Sequence, residues 1–467
     1  MEEKKRGAFS GSLGFVLAAA GSAVGLGNLW RFPYLAAKNG GGLFLVIYIV
    51  LALTFGFTML TTEIAIGRKT KQSPLTAYGR LHSKFKFTGV LACLIPFLIL
   101  PYYCAIGGWV LKYFIAFVTG NGAKAANGDY FGGFITSFSE PIILMLVFFA
   151  ITAFIVFAGV DKGIESFSKI CMPALLILVI GISIYSLTLK SDATGTVRTG
   201  LQGLAIYLIP NFDGLTVGGF FSVLMDAMGQ LFFSLSVAMG IMIAYGSYVS
   251  DDTDLKKSVN QIELCDTGVA FLAGVMIIPA VCTFMGPDVM KSTAGPGLMF
   301  VALPQVFQAM GVVGNFIGAL FFAMVFFAAL TSSVSIMEAV VSSFMDQFGW
   351  SRKGASCVEG LLALILGVVV CLGYNKLYFE FKLPNGSVAQ ILDIMDYISN
   401  NLFMPIVALA ECVLVGWVLG PSTIEDEITK SGCTFGRKTL YELMVKFIAP
   451  ILLFILFLRA AGVLTII

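Results

Sequence analysis

The stretch GSAVGLGNLWRFPY, residues 21–34, places glycines, an asparagine, an arginine and a proline inside an otherwise apolar segment. Glycine and proline weaken a helix interior, so this stretch predicts a membrane helix that is broken near its middle. Amides and carbonyls released from a helix cannot face lipid, so they must line a cavity. Free amides attract anions and free carbonyls attract cations. The stretch therefore favours the binding of small ions.

A second polar cluster, SLSVAMG at residues 234–240, lies in the sixth apolar segment, five segments after the first. Two such breaks together can hold a zwitterion and small cations with little help from charged side chains. The spacing is typical of two inverted five-helix repeats, each opening with a discontinuous helix. We predict a single domain over 1–467, with a first repeat at 12–187, a second inverted repeat at 218–420 and an additional C-terminal helix at 440–466.

The composition predicts an all-α polytopic membrane protein. Of the 467 residues, 58% are hydrophobic and 12% are charged, and apolar runs of about 18 residues or more recur along the chain. Charges fall mainly in short gaps between these runs, which excludes a soluble protein with several cores. We predict eleven transmembrane helices, at 12–37, 41–67, 88–118, 141–160, 166–187, 218–247, 261–285, 312–346, 354–374, 393–420 and 440–466. The gaps at 188–217 and 286–311 are predicted to be ordinary extracellular loops.

The loop at residues 67–86 is rich in lysine and arginine, whereas the loop at residues 120–133 holds only Lys124. The positive-inside rule then predicts a cytoplasmic N-terminus in the cell membrane, and eleven spans predict an extracellular C-terminus. No cleavage-site pattern follows the N-terminal residues, so we expect the first span to be retained. The net charge of +2 gives no reason to expect a nucleic acid partner, and the scattered cysteines form no zinc pattern.

Five motifs give the sequence a resemblance to a known family. They are GSAVGLGNLWRFPY, NGGGLF at 39–44, PYYCAIGGW at 101–109, GQLFFSLSVAMG at 229–240 and FFAALTSS at 326–333. With them the chain resembles the neurotransmitter:sodium symporter family, whose bacterial members carry amino acids. The resemblance covers nearly the whole chain and implies sodium-coupled uptake by alternating access, and no enzymatic activity. That family is itself a worked example of the inverted-repeat architecture, so the predicted repeat does not support the resemblance independently.

The resemblance implies two sodium sites. One would use the carbonyls of Gly21, Val24 and Ala328 with the hydroxyls of Thr331 and Ser332. The other would use Ala23, Asn28, Ser234 and Asp266, completed by the carboxylate of the substrate. Carbonyl and hydroxyl oxygens suit a hard cation. Small residues also favour tight helix packing, so FFAALTSS taken alone favours packing over an ion site.

The resemblance also implies the class of substrate. Monoamine-carrying relatives have an aspartate at the position of Gly25, so its absence here favours a zwitterionic L-amino acid. Tyr103 and amides around Gly25 would hold the carboxylate, and carbonyls near Ser22, Phe233 and Ser236 would hold the ammonium. The implied substrate-binding set is Ser22, Ala23, Gly25, Ile99, Tyr103, Phe233, Ser234, Ser236, Met239, Ser332, Ser333 and Ile336. Its side-chain pocket is largely apolar, so leucine, methionine, phenylalanine and tryptophan remain open as substrates.

Two charged pairs match the gates of the family. Arg31 and Asp396 would form the outer gate above Phe233, and Arg6 and Asp346 would form the inner gate. The simpler interpretation of each pair is a static surface ion pair. Phe9 stands where relatives have a tryptophan that seals the inner path.

Two acidic residues have expected roles by the same resemblance. Glu63 is expected to accept hydrogen bonds from the unwound part of the sixth helix. Asp266 can supply a fixed negative charge beside the second sodium site, so we expect no chloride requirement.

Three other functions remain as alternatives. A channel or receptor that uses the same cation sites without coupled translocation would need a continuous polar pore, whereas the polar clusters are isolated at mid-depth. A membrane enzyme would need a reactive pair or motif that the sequence does not show. A proton-coupled carrier of the same architecture would be expected to carry a lysine or carboxylate near FFAALTSSVSI, and none is present there. The sequence leaves the sodium stoichiometry and the oligomeric state open.

Overall fold

The computed structural model describes residues 7–192 and 195–464. In this part of the chain, ten continuous helices are long and apolar enough to cross a membrane, and one bent helix pair makes an eleventh span. We number the spans in chain order: α1 Ser12–Ala23 with Gly27–Lys38, α2 Gly42–Thr70, α3 Ser83–Val118, α4 Glu140–Ala158, α5 Val160–Leu187, α6 Val217–Ser234 with Ile241–Gly246, α7 Leu255–Met285, α8 Val312–Phe348, α9 Arg352–Leu372, α10 Ile391–Val418 and α11 Lys438–Ala460. The all-α polytopic class and the eleven spans are confirmed, while the boundaries of the two repeats stay a prediction.

Both predicted breaks are present. The halves of α1, named α1a and α1b, meet at an angle of 49°, and Val24 between them has extended backbone angles. In α6 the break falls between Ser234 and Ile241, and the two halves are named α6a and α6b. Ser236 and Ala238 have positive φ values of 53° and 60°, a conformation that side chains with a Cβ rarely adopt. The surrounding structure must therefore hold this backbone in place.

The broken helices lie in the middle of the bundle. Helix α1a packs against α5, α7 and α8, and α3 lies along α8. Helices α2 and α6b approach closely because small residues line their contact. A Cβ at Gly67 would overlap the carbonyl of Ile243, and a Cβ at Gly246 would overlap the carbonyl of Ile64. Helix α6b is thereby fixed to α2.

The expectation of ordinary loops at 188–217 and 286–311 is wrong. The first gap contains the hairpin strands β1 (Lys190–Ser191) and β2 (Arg198–Thr199), followed by a helix at Gly200–Leu208. The second contains a helix at Pro287–Ser292 and an apolar helix at Leu298–Ala309, which is too short to span a membrane. The buried ring of Phe300 packs edge-on against Trp30 and Trp109, so this helix covers α1b and α3. Burial against these aromatic rings, rather than membrane crossing, explains its apolar composition.

A second hairpin lies between α9 and α10. Its strands are β3 (Phe381–Lys382) and β4 (Val388–Ala389), paired antiparallel. The turn residues Pro384, Asn385 and Gly386 line a wide depression at the end of the bundle where this hairpin lies. We call this depression the vestibule.

Candidate binding site between the broken helices

The two breaks are hydrogen bonded to each other at mid-bundle. The Ser22 hydroxyl donates to the Ser236 hydroxyl over 3.2 Å, and the Ser236 hydroxyl lies 3.1 Å from the carbonyl oxygen of Ser22. Gln230 donates from its amide nitrogen to the carbonyl of Gly27 over 3.0 Å. Polar groups released by each break therefore face the other break and not lipid, as the sequence predicts.

A cavity of about 30 Å³ lies between the breaks. Eleven of the twelve substrate-binding residues predicted from the sequence line it: Ser22, Ala23, Gly25, Ile99, Tyr103, Phe233, Ser234, Ser236, Met239, Ser332 and Ile336. Leu26, Gly27 and Asn28 complete the lining, which holds no charged side chain. Ser333 lies elsewhere: its hydroxyl is 3.0 Å from the Leu330 carbonyl and 2.8 Å from the Thr152 hydroxyl of α4.

Tyr103 presents a hydroxyl to this cavity that has no hydrogen-bond partner in the described part of the chain. A Cβ placed on Gly25 would lie 3.3 Å from this hydroxyl and 2.8 Å from the Ser332 hydroxyl oxygen. The space beside Gly25 is therefore open only because that residue has no side chain. A buried hydroxyl without a partner is costly, so Tyr103 is poised to donate to an acceptor bound beside Gly25.

Asp266 is fully buried at the edge of the cavity and collects polar side chains from three helices. Its Oδ1 accepts from Asn28 Nδ2 at 2.8 Å and from the Ser234 hydroxyl at 2.7 Å. Its Oδ2 lies 3.5 Å from the hydroxyl of Tyr48 on α2. The Gly25 amide donates to Asn28 Oδ1 over 3.1 Å, which ties the group to the α1 break. Three residues of the predicted second sodium set thus lie together, and Ala23 lines the adjoining cavity.

The other predicted sodium set lies where α1a meets α8. The Thr331 hydroxyl donates to the Ala328 carbonyl over 3.1 Å, and the Ser332 hydroxyl donates to the Ser22 carbonyl over 3.1 Å. A Cβ on Gly21 would lie 3.2 Å from the Cβ of Thr331, so the two backbones approach closely. Val24 supplies the carbonyl at the point where α1a ends. This uncharged oxygen set fits a small hard cation, by analogy with divalent oxygen sites. Among the described residues, no cluster of histidine, cysteine and carboxylate could hold a transition metal.

The ring of Phe233 separates this cavity from the vestibule, which has a volume of about 580 Å³, and it lines both spaces. Arg31 also lines the vestibule. Asp396 attracts Arg31 electrostatically, yet the two side chains make no direct ion pair in the described part of the chain. The Asp396 carboxylate instead accepts from the Tyr102 hydroxyl at 3.1 Å and from Asn400 Nδ2 at 2.6 Å.

On the side of the cavity away from the vestibule, an aromatic cluster closes the space between the helices. The Phe9 ring packs edge-on against Tyr245 and Tyr248, with centroid distances of 5.7 and 6.3 Å. Of the predicted inner pair, Arg6 lies outside the described residues, and Asp346 accepts from the Ser73 amide at 2.6 Å.

Beneath the cluster lies an ion pair that sequence reasoning missed. Arg352 donates to both oxygens of Glu338, at 2.6 and 2.8 Å, and the Tyr248 hydroxyl donates to the same carboxylate at 2.6 Å. The acidic and basic members stand 14 residues apart in separate helices, so no local motif links them. A glutamate inside the apolar segment that forms α8 is the one sequence signal that could have indicated a partner.

Glu63 lies beside the break of α6. Its carboxylate accepts a hydrogen bond from the Ala238 amide, which has left the helical ladder. The expectation that Glu63 would bond to the unwound part of the sixth helix is confirmed. The carboxylate helps hold Ala238 in its positive-φ conformation.

A cavity in the middle of the bundle between two broken helices, separated from a vestibule by one aromatic ring and closed on the other side by an aromatic cluster, is the arrangement of a secondary transporter. The model of the sodium:neurotransmitter symporter family matches residues 6–128 and 134–465, so the chain belongs to that family. The resemblance based on the motifs is confirmed, and with it sodium-dependent transport across a membrane as the activity of the family.

Relatives that cover the chain carry names of the same kind. The uncharacterized sodium-dependent transporter YhdH of Bacillus subtilis is 32% identical, with both chains fully covered. The human sodium- and chloride-dependent GABA transporter 2 is 28% identical over 91% of this chain and 75% of its own. The crystal structure of MhsT in complex with L-phenylalanine superposes with a TM-score of 0.84 at 36% identity, covering 97% of this chain and 100% of that one.

Proposed function

We propose that this protein takes up a neutral, hydrophobic L-amino acid together with sodium, by alternating access. The observation that carries the proposal is the unpartnered Tyr103 hydroxyl, which faces an uncharged cavity between two helix breaks. The similarity to MhsT, which was solved with L-phenylalanine, supports the same class of substrate.

The α-carboxylate of the substrate would accept from Tyr103 and lie beside Gly25, where the missing side chain leaves room. The ammonium would lie near the carbonyls of Ser22, Phe233 and Ser236. The apolar side chain would contact Ile99, Met239 and Ile336. Since no charged side chain lines the cavity, an acidic or basic amino acid would bring an unpaired charge into a buried space and be rejected.

Two sodium ions would enter with the substrate. One would lie at the contact between α1a and α8, and the other would lie beside Asp266 and accept the substrate carboxylate as a ligand. Sodium and amino acid would then raise each other's affinity reciprocally. With two charges moving through a potential of about 100 mV, roughly 4.6 kcal/mol is available. That free energy sustains accumulation on the order of a thousandfold.

The same proposal includes the orientation and the role of chloride. The N-terminus would lie in the cytoplasm and the vestibule would face the outside of the cell, so binding would start from the vestibule. The Asp266 carboxylate would supply the negative charge beside the sodium ion. Uptake would then need no added chloride, in contrast to the chloride dependence in the name of the human GABA transporter 2.

The test is uptake of radiolabelled neutral amino acids into proteoliposomes. An inward sodium gradient should drive accumulation of at least one hydrophobic amino acid, and potassium in its place should abolish it. Lysine and glutamate serve as matched charged controls and should not accumulate. Uptake that persists in potassium would refute sodium coupling and favour the proton-coupled carrier.

A further inference from the structure

An ion pair crosses the rim of the vestibule and joins α6a to α11. Asp226 Oδ1 lies 2.9 Å from an Nη of Arg459, whose side chain is 32% exposed against 15% for Asp226. The other guanidinium nitrogen is 3.5 Å from the Ser222 hydroxyl, one turn earlier in α6a. Asp226 Oδ2 accepts from Asn39 Nδ2 at 3.3 Å, at the end of α1b. The carboxylate therefore connects the outer halves of both broken helices to the last helix.

The same stretch of α6a carries Phe233, the residue that separates the vestibule from the small cavity. Asp226 and Phe233 are seven residues apart, which in an α-helix places them on one face, two turns from each other. Both line the vestibule, and α6a is an unbroken helix between them. A displacement of Asp226 therefore also moves Phe233, because both residues belong to one continuous helix.

The predicted outer pair does not hold α6a in this conformation. Arg31 makes no direct ion pair with Asp396, which is bonded to Tyr102 and Asn400. Arg31 is attracted by Asp226 as well as by Asp396, and is repelled by Arg459. Of these charged groups, only Arg459 makes a direct ion pair with Asp226 in the described part of the chain.

We infer that Arg459 is a positioning residue for the Phe233 lid: through Asp226 it holds α6a, and with it the aromatic ring, over the small cavity. Loss of the ion pair releases α6a from α11, and the lid opens more often. The inference rests on the proposed function only for its meaning in transport, because the state of the lid can be measured without any substrate.

The test uses a cysteine at Ile99, which lines the small cavity beneath the lid. Ile99→Cys is labelled with the cationic thiol reagent MTSET on purified protein. The background carries Cys265→Ser, Cys357→Ser and Cys433→Ser, because these three native thiols are partly or fully exposed. Asp226→Asn and Arg459→Gln should each speed labelling by about two- to fivefold, the range over which a partly exposed ion pair shifts an equilibrium. The double variant should label no faster than either single variant, since both remove one interaction.

The variants also separate this effect from a change of local charge. Loss of Asp226 removes an attraction for the cationic reagent and loss of Arg459 removes a repulsion, so a pure charge effect slows labelling in the first variant and speeds it in the second. Arg459→Lys keeps the ion pair and should keep the original rate. Glu140→Gln breaks the Lys112–Glu140 pair between α3 and α4, outside the vestibule lining, and should also leave the rate unchanged.

Opposite shifts, additive effects or unchanged rates in the single variants would overturn the role of Arg459. The amino acid panel tests the transport function separately. If no amino acid in the uptake panel accumulates but the single variants label faster, the role of Arg459 at the lid stands and only the proposed substrate is refuted.

Discussion

The Tyr103 hydroxyl is the single atom that separates a substrate-binding role for this residue from a role in packing. Because it has no partner in the described part of the chain, Tyr103→Phe removes a donor without breaking a bond inside the protein. A hydrogen bond to a carboxylate contributes about 1.5–3 kcal/mol, so the KM for the amino acid should rise roughly 10- to 100-fold while the thermal midpoint stays nearly constant. Uptake kinetics and thermal unfolding measure the two quantities.

Tyr113→Phe is the matched control on the same helix. Its hydroxyl donates to the Phe300 carbonyl over 2.6 Å, so this variant should lose stability and keep its KM. Equal KM values for Tyr103→Phe and the unaltered protein would contradict the assignment of Tyr103 to the substrate carboxylate.

A separate prediction concerns the charge of Asp266. With gluconate replacing chloride, the unaltered protein should keep its uptake rate, because the Asp266 carboxylate would already supply the negative charge beside the proposed ion site. Asp266→Asn keeps the shape and removes the charge, so its uptake should fall at least about tenfold in gluconate and recover in part when chloride is added. The measurement is initial uptake in both salts. Equal rates for the two proteins in gluconate would refute the role of the charge.

At the scale of helices, the pair of Glu338 and Arg352 joins α8 to α9, and Tyr248 attaches the end of α6b to it. Removing one member of a buried ion pair leaves the other unpaired, so Glu338→Gln should lower the free energy of unfolding by about 3–5 kcal/mol. Tyr248→Phe removes one hydrogen bond only and should lower it by about 1 kcal/mol. Denaturation of the detergent-solubilised protein gives both values. A Tyr248→Phe effect as large as that of Glu338→Gln would contradict this ranking.

A second connection between elements lies outside the membrane spans. Hydrogen bonds from Lys430 and Lys71 lower the pKa of Asp251 to about 2, and they join the loop after α6b to the end of α2 and to the helix at Ser422–Thr429. Because this pKa lies below the unfolded value of about 3.9, the stabilisation is complete above about pH 5 and is lost as the pH falls towards 2. The thermal midpoints of the unaltered protein and Asp251→Asn should therefore differ by a constant amount from pH 8 to 5 and converge at lower pH. A gap that widens on acidification would exclude this contribution.

How far the sequence could predict these elements depends on where the interacting residues stand. Glycines and polar residues in GSAVGLGN and SLSVAMG disclose the two breaks because helix disruption is a local property. The partner of Tyr48 is Asp266, 218 residues away, and nothing in the apolar surroundings of Tyr48 indicates that contact. The helix at Leu298–Ala309 was missed because its apolar run is shorter than a span, and burial under aromatic rings cannot be read from length.

For the whole molecule, ligand binding should appear as stability. A ligand that binds only the folded state at about 100 times its Kd adds roughly 2.7 kcal/mol. Sodium should therefore raise the thermal midpoint and potassium should not. A transported amino acid should raise the midpoint further when sodium is present and not when potassium replaces it, because its carboxylate would complete the proposed second ion site. An amino acid that stabilises equally in potassium would show that substrate and ion bind independently.

The placement of Phe233 has a consequence for how substrate preference can diverge among related chains. Its ring borders both the small cavity and the vestibule. Any substitution at this position that reshapes the small cavity therefore also changes the barrier between the two spaces. Met239 and Ile336 border the small cavity alone. On the proposed function, selection for a larger or smaller amino acid would act on those two positions without changing the ring at the vestibule, and diversity among related chains is expected to accumulate there while an aromatic ring persists at 233.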